Sequence, residues 1–301
     1  MERLLLPVGL VLLAGTLPIS GGPTDVGSIA DVPLDFAPNS FDDRYEGCGR
    51  AMRDELESLN LSEFTSNDVY AKAWVLAAAE WHNRRGRLPP GLRPEQVVAL
   101  LAYTQHGPLF QAFNAAAREA GRSRRHYLEN FHFKTLHFLL SEALRLLRDA
   151  ESSPRCYRVY RGVRGVRFAA RRHRHVRFGQ FTSTSLREDS TSPFGRDTFF
   201  TVETCYGVPI REFSFFPGED EVLIPPFEVF KVVDVNYRED GADIELRSWG
   251  ANSTYNCEWL KERRCRGHPC DFSAGWSFHG DPSLLWGLLV ATTTLVATKG
   301  P

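Results

Sequence analysis

The chain has 301 residues, 43% hydrophobic and 24% charged, enough for one large domain or two small ones. A formal net charge of -1 excludes a molecule built as a whole to hold nucleic acid. At the start, Glu2 and Arg3 precede an apolar run from Leu4 to Leu17, with Ser20, Gly21 and Gly22 after it. That run is too short to span a bilayer and reads as a secretory leader over residues 1–22, a buried N-terminal helix being the alternative. A body of residues 23–272 follows, helical from about 40 to 150 and strand-rich from about 155 to 257. Ser66-Asn67-Asp68 caps a predicted helix with Val69, Ala73, Leu76, Ala77 and Trp81 at helical spacing, and Gly86 ends it. Further helices are predicted for Pro94 to His106, Leu109 to Ala120 and Phe133 to Leu147. The period then changes. Cys156 to Val163, Val176 to Ser183, Thr198 to Thr204, Ile210 to Phe216, Val229 to Asn236 and Ala242 to Ser248 are predicted strands, rich in Val, Phe, Tyr, Thr and Ile. Helices first and strands second define an α+β chain. No glycine-rich turn of Rossmann type follows a strand.

Residues 273–301 have the order small triplet (Ser273-Ala274-Gly275), spacer with His279 and Asp281, and apolar run (Leu284 to Ala297). This is the pattern of a glycosylphosphatidylinositol signal, with Ser273 as attachment residue and 276–301 removed; the alternative is a secreted protein that keeps its tail. The 6 cysteines are Cys48, Cys156, Cys205, Cys257, Cys265 and Cys270, an even number that suits disulfides behind a leader. They form no paired Cys-x-x-Cys motifs, and no metal is expected. The sequons at Asn60 and Asn252 fit the same extracellular compartment.

Three features carry potential chemistry. Glu219-Asp220-Glu221 is the densest acidic spot; in an extended chain the two glutamates point to one side and Asp220 to the other. Paired carboxylates perturb each other and suit a place where cationic character develops, although the same residues fit a solvated turn between strands. Arg161 ends a strand and can clamp a phosphate or make a surface ion pair. Ser183 and Ser185 share one side of the hydroxyl-rich strand Phe181 to Ser185, where they can hold a carboxylate or a ribose, or simply reflect β-propensity. Apart from these, Arg171, Arg172, His173, Arg174, His175 and Arg177 form a basic run. It reads as a solvated hairpin or as a contact for acidic glycans or an acidic acceptor.

In that order, the arginine, the Ser-Thr-Ser strand and the Glu-x-Glu resemble the R-S-E motif of the vertebrate arginine-specific ecto-mono-ADP-ribosyltransferases. The resemblance extends through Ser40-Phe41-Asp42-Asp43, Ala99 to Thr104, Phe113 to Ala116, Phe133 to Leu139, Arg161-Gly162-Val163, Ser214 to Gly218, Glu221 to Glu228 and Ser253 to Cys257, nearly the whole body. It implies a helical region packed on a β-sandwich core, with NAD as ADP-ribose donor and arginine-bearing proteins as acceptors. It further implies that Glu221 stabilises the oxocarbenium-like transition state, that Ser183 positions Glu221, that Arg161 binds the phosphates, and that Glu219 orients the acceptor guanidinium. Phe215 to Glu221 becomes the acceptor loop, and Tyr103, Gln180 and Ser214 become further NAD contacts. The family's disulfides map to Cys48–Cys257 and Cys156–Cys205, leaving Cys265 and Cys270 to pair with each other. The expected protein is a monomeric extracellular enzyme, lipid-anchored or secreted. An NAD glycohydrolase with water as acceptor is one alternative, weighed down by the presence of Glu219. A non-enzymatic surface protein on the same fold is the other, weighed down by an intact Arg161, Ser183 and Glu221.

Overall fold

The structure is a computed structural model that describes residues 29–264 except Arg85, Arg87, His106 and 152–154. The leader, the tail with Ser273, and Cys265 and Cys270 lie outside the described residues. A first compact unit ends at Glu258, where a short helix, Glu258–Arg264, carries the chain into the second.

Among the described residues, six helices precede the main sheet: α1 (Gly49–Ser66), α2 (Asp68–Arg84), α3 (Pro94–Thr104), α4 (Pro108–Ala120), α5 (Arg124–Asn130) and α6 (Lys134–Asp149). Asn67 caps α2 by accepting from Tyr70 N at 3.1 Å. Its buried face is Tyr70, Ala73 and Ala77, whereas Leu76 is 61% exposed. The predicted stripe is therefore rotated, because two alanines rather than the larger leucine let α3 approach. Residues Gln96 to Thr104 of α3 are all buried, and α6 packs against them. The first turn of α6 is capped from a distance: Glu63 accepts from Lys134 N at 2.7 Å and Thr135 N at 2.9 Å. A buried carboxylate there satisfies orphan N–H groups and meets the positive end of the helix dipole.

The main sheet has eight strands: β2 (Tyr157–Val163), β4 (His175–Val176), β5 (Thr182–Ser185), β6 (Thr198–Thr204), β7 (Val208–Pro209), β8 (Glu221–Ile224), β9 (Glu228–Arg238) and β10 (Gly241–Ala251). Their order is β4-β9-β10-β6-β2-β5-β8-β7, with β10 and β6 parallel and the other neighbours antiparallel. β1 (Ala30–Pro33) pairs in parallel with β3 (Val166–Ala169) in a separate two-stranded sheet. One pair, Tyr160 with Ser185, joins β2 to β5. Val222 and Ile224 of β8 share a buried cluster with Val202 of β6, Phe230 and Val232 of β9 and Ile244 of β10. Strands distant in hydrogen-bond order thus share one core, so the sheet closes over itself at this weak joint, as the sandwich architecture requires.

Two predicted strands are corrected. Val176 to Ser183 is not continuous. Gly179 turns the chain at φ +67°, in the left-handed region open to glycine, and β4 and β5 end in different parts of the sheet. Ile210 to Phe216 is a 3-10 turn (Arg211–Phe213) followed by irregular chain. Its buried apolar residues, Ile210 and Phe213, are three apart, the spacing of a turn rather than of a strand.

Both disulfides assigned by resemblance are present, with Cα–Cα distances of 6.1 Å for Cys48–Cys257 and 4.0 Å for Cys156–Cys205. Around the first, Asp43 accepts from the N–H groups of Tyr45, Cys257 and Glu258, and Asp42 from those of Thr254 and Tyr255. Arg177 is 2% exposed and ion-paired with Asp42. It belongs to this buried staple and not to the surface run in which its sequence neighbours place it.

Candidate active site

Ser185 lies opposite Glu221 and Ser183 opposite Leu223 in the β5–β8 ladder. Strand alternation therefore turns Ser183, Ser185 and Glu221 to one face, while Thr182, Thr184, Val222 and Ile224 fill the other. On the other side of β5, Arg161 of β2 donates through Nη1 to Ser183 O at 2.7 Å. Arg161, Ser183, Glu219 and Glu221 line one pocket, with Phe194 at its rim.

Glu221 is 5% exposed. Burial pushes its carboxyl above the ordinary value; hydrogen bonds from Ser183 and Ser214 oppose this, Glu219 adds to it and Arg161 opposes it. The Ser214 hydroxyl donates to Oε2 of Glu221 at 3.0 Å. The pocket thus holds a nearly dry carboxyl group fixed by two hydroxyls, a placement suited to a developing cation. Burial lowers the pKa of Arg161, with Tyr103 and Glu221 acting in the opposite direction.

Glu219 reaches the pocket by a route that alternation does not describe. Pro217–Glu219 is a 3-10 turn, and Asp220 has left-handed backbone angles, φ 46° and ψ 50°. The chain between the glutamates is coiled, not extended. Asp220 turns away to pair with Arg211 at 2.9 Å. Ser185 fixes the turn by donating to Glu219 O at 2.6 Å, a role sequence reading did not give it. The preceding residues are held by the helical layer: Phe215 N donates to Thr104 Oγ1 at 3.1 Å, and Arg84 Nη1 to Ser214 O at 2.9 Å.

The residues expected as further NAD contacts have different surroundings. Tyr103 is 3% exposed; its hydroxyl donates to Phe181 O at 2.7 Å and accepts from Asn114 at 3.0 Å. Burial pushes its pKa up to about 12. Tyr103 therefore braces the residue that leads into β5, and its hydroxyl also interacts with Ser183. Ser214 is fully buried, and its hydroxyl is occupied by Glu221 and by Phe216 N at 3.1 Å. Its task is to hold the carboxylate. Gln180 precedes β5, is half-buried and accepts from Arg118.

Phe194 is missed by sequence reading. It is 43% exposed and ends a 3-10 helix, Asp189–Phe194, whose residues show no periodic signal. Gly162 explains part of the Arg-Gly-Val motif: a Cβ there would collide with the carbonyl of Gly195, so only glycine lets this segment close over β2. Of the two sequons, Asn252 is exposed just beyond β10, whereas Asn60 is half-buried inside α1 and accepts from Tyr70 at 2.6 Å.

Comparison with known proteins identifies the class to which this fold and pocket belong. Residues 34–254 match the family described as NAD:arginine ADP-ribosyltransferase. A chicken erythroblast NAD(P)(+)--arginine ADP-ribosyltransferase is 53% identical over 270 residues, 89% of each chain. The human GPI-linked NAD(P)(+)--arginine ADP-ribosyltransferase 1 is 46% identical over 318 residues, covering 100% of this chain and 96% of the relative. The crystal structure of the eukaryotic mono-ADP-ribosyltransferase ART2.2 superposes with a TM-score of 0.66 at 38% identity, over 75% of this chain and 98% of that one. The chain belongs to the NAD:arginine ADP-ribosyltransferase family.

Proposed function

We propose that this enzyme transfers ADP-ribose from NAD to arginine side chains of proteins outside the cell, with Glu221 and Glu219 dividing the chemistry. The observation that carries the division is that both carboxylates line one pocket with Arg161 and Ser183, while Asp220 is drawn off by Arg211. A mutant of ART2.2 has been solved in complex with NAD, which supports NAD as the donor here. The human relative is GPI-linked, which supports a place on the outer cell surface. Attachment at Ser273 and action as a monomer belong to the same reading.

Arg161 holds the pyrophosphate. The bond between ribose C1′ and the nicotinamide nitrogen breaks, and its electron pair leaves with nicotinamide. Glu221 stabilises the positive charge left on the ribose and accepts from a ribose hydroxyl. Glu219 accepts a hydrogen bond from the acceptor guanidinium and takes the proton that nitrogen loses as it bonds to C1′. Incubation of the purified protein with labelled NAD and agmatine tests the assignment. Label on agmatine supports it; label in free ADP-ribose alone rejects it.

A further inference from the structure

The turn between β3 and β4 contributes no residue to the lining of the Glu221 pocket. Arg171, Arg172, His173, Arg174 and His175 are all exposed. The turn is nevertheless firmly built. Arg174 N donates to Arg171 O at 3.2 Å, His173 N to Val232 O at 2.8 Å, and Val232 N to Arg174 O at 2.9 Å, pinning it to β9. His173 occupies the third position with φ 67°, a left-handed site more often given to glycine or asparagine. The backbone is set before any ligand arrives, which reduces the ordering cost of binding.

Much of the charge is uncommitted. Arg172 is paired with Asp234, and Arg167 on β3 with Asp31. Arg171 and Arg174 have no carboxylate partner among the described residues. The positive strip continues across the sheet: His175 on β4 lies opposite Lys231 on β9, and Lys231 lies opposite Arg247 on β10. Among the described residues Arg247 has one distant acidic partner, Glu203 at 3.8 Å. Trp249 on β10 is 64% exposed, with its ring 4.7 Å from that of His175 and 5.9 Å from the Lys231 ammonium. Beside the strip is an open groove of ≈ 820 Å3 whose lining includes Arg171, Arg174 and His175, with Leu34, Phe36 and the acid Asp35. A large exposed indole among cations on a chain of net charge -1 marks a local site rather than general basicity.

We propose that this strip and groove dock a sulfated polysaccharide of the cell surface or matrix. The guanidinium forks of Arg171 and Arg174 match sulfate oxygens as they match phosphate, and the Trp249 face takes the apolar face of a sugar ring. A linear polyanion fits cations that step from strand to strand at about 4.8 Å. A bilayer fits less well, since Arg171, Arg174 and His175 line a concave groove rather than flank protruding apolar side chains. None of these residues lines the pocket of Glu221, so docking holds the enzyme beside its acceptors without touching the reaction.

The test uses the purified protein, heparan sulfate oligosaccharide on a surface, sulfopropyl resin as a plain cation exchanger, and phosphatidylserine vesicles. The protein should bind the oligosaccharide at physiological salt and elute from it at higher salt than from sulfopropyl. Arg171→Ser with Arg174→Ser should weaken binding by about tenfold per arginine, the loss expected for a hydrogen bond to a charged group. Trp249→Ala should weaken it too, and chemical desulfation should abolish it. NAD cleavage should be unchanged in every variant, which also separates loss of docking from misfolding. Equal binding by wild type and the double arginine variant overturns the proposal. So do equal elution from the two supports and capture by vesicles without capture by the polysaccharide.

Discussion

The hydroxyl of Ser214 lies 3.0 Å from Oε2 of Glu221, and both residues are buried. Phe216 N donates to the same hydroxyl oxygen at 3.1 Å, which leaves its proton to the carboxylate. This bond is one of two that oppose the effect of burial on Glu221. Ser214→Ala should therefore lower kcat about 10- to 100-fold, the range for a hydrogen bond to a charged group, and leave KM for NAD nearly unchanged. The sign for pH follows. Without the bond the carboxyl of Glu221 rises further, so the acid limb of kcat/KM should move to higher pH. A profile that keeps its acid limb in place while the rate falls would point to a packing defect instead.

Glu219 and Glu221 should separate in their effects. Glu221→Ala should abolish both NAD hydrolysis and transfer, because the charge on ribose loses its counterion. Glu219→Gln keeps the shape of the turn and should keep hydrolysis, while transfer to agmatine falls by about 10²–10³. Arg211→Ala, by releasing Asp220 from its 2.9 Å pair, should lower transfer more than hydrolysis, since it loosens only the turn that carries Glu219. Measuring free ADP-ribose and ADP-ribosyl-agmatine in one reaction reads both quantities.

Part of this site is legible in the sequence, and the reasons for the rest are physical. Helices α3, α4 and α6 show in the sequence because each buries a broad apolar face; α3 and α4 also begin with a proline, and α4 ends at Gly121. Helix α1 does not, since its buried residues are Met52, Leu59 and Glu63 and its start is fixed by the cross-linked Cys48 rather than by a side-chain cap. The two glutamates do face one pocket as the spacing suggests, but through a left-handed residue that only the folded chain displays. The bracing by Tyr103 and Ser214 depends on contacts of α3 with residues 214–216 and with the residue leading into β5, and no local pattern records such contacts.

The link between the beginning of the body and the end of the sheet is both covalent and ionic. Cys48–Cys257 closes a loop of sequence separation 209, and Asp42 with Arg177 ties the same region. Replacing both cysteines by serine should cost about 2–5 kcal/mol, lowering Tm by roughly 5–15 °C for a body of this size. Arg177→Ala should cost about 3–5 kcal/mol, because it leaves the buried carboxylate of Asp42 without its cation. Thermal melts of the two variants, with and without reductant, distinguish the contributions: reductant should lower the Tm of Arg177→Ala more than that of the Cys48/Cys257 variant, which has already lost this bridge.

Two buried groups near this staple should pull stability in opposite directions with pH. Asp43 has its carboxyl raised from 3.8 to about 6, chiefly by burial. A raised folded value means the native state takes up the proton first, so this group adds stability as pH falls from about 6 toward 3.8, by at most about 3 kcal/mol. His137 is fully buried between Tyr45 OH at 2.9 Å and Phe41 O at 3.2 Å, and burial lowers it from 6.5 to about 3. Its neutral form stabilises the fold above 6.5, and that contribution is lost as pH falls toward 3, when the unfolded chain alone binds the proton. Between about 6 and 3.8 the two largely offset each other in the wild type. Asp43→Asn removes the gain, so its stability should fall more steeply on acidification than that of the wild type. His137→Gln, whose amide can accept from Tyr45 and donate to Phe41 O, removes the loss and should flatten or reverse the slope. Urea unfolding of the three proteins at several pH values reads those slopes, and parallel slopes in all three would show that neither group titrates differently on folding.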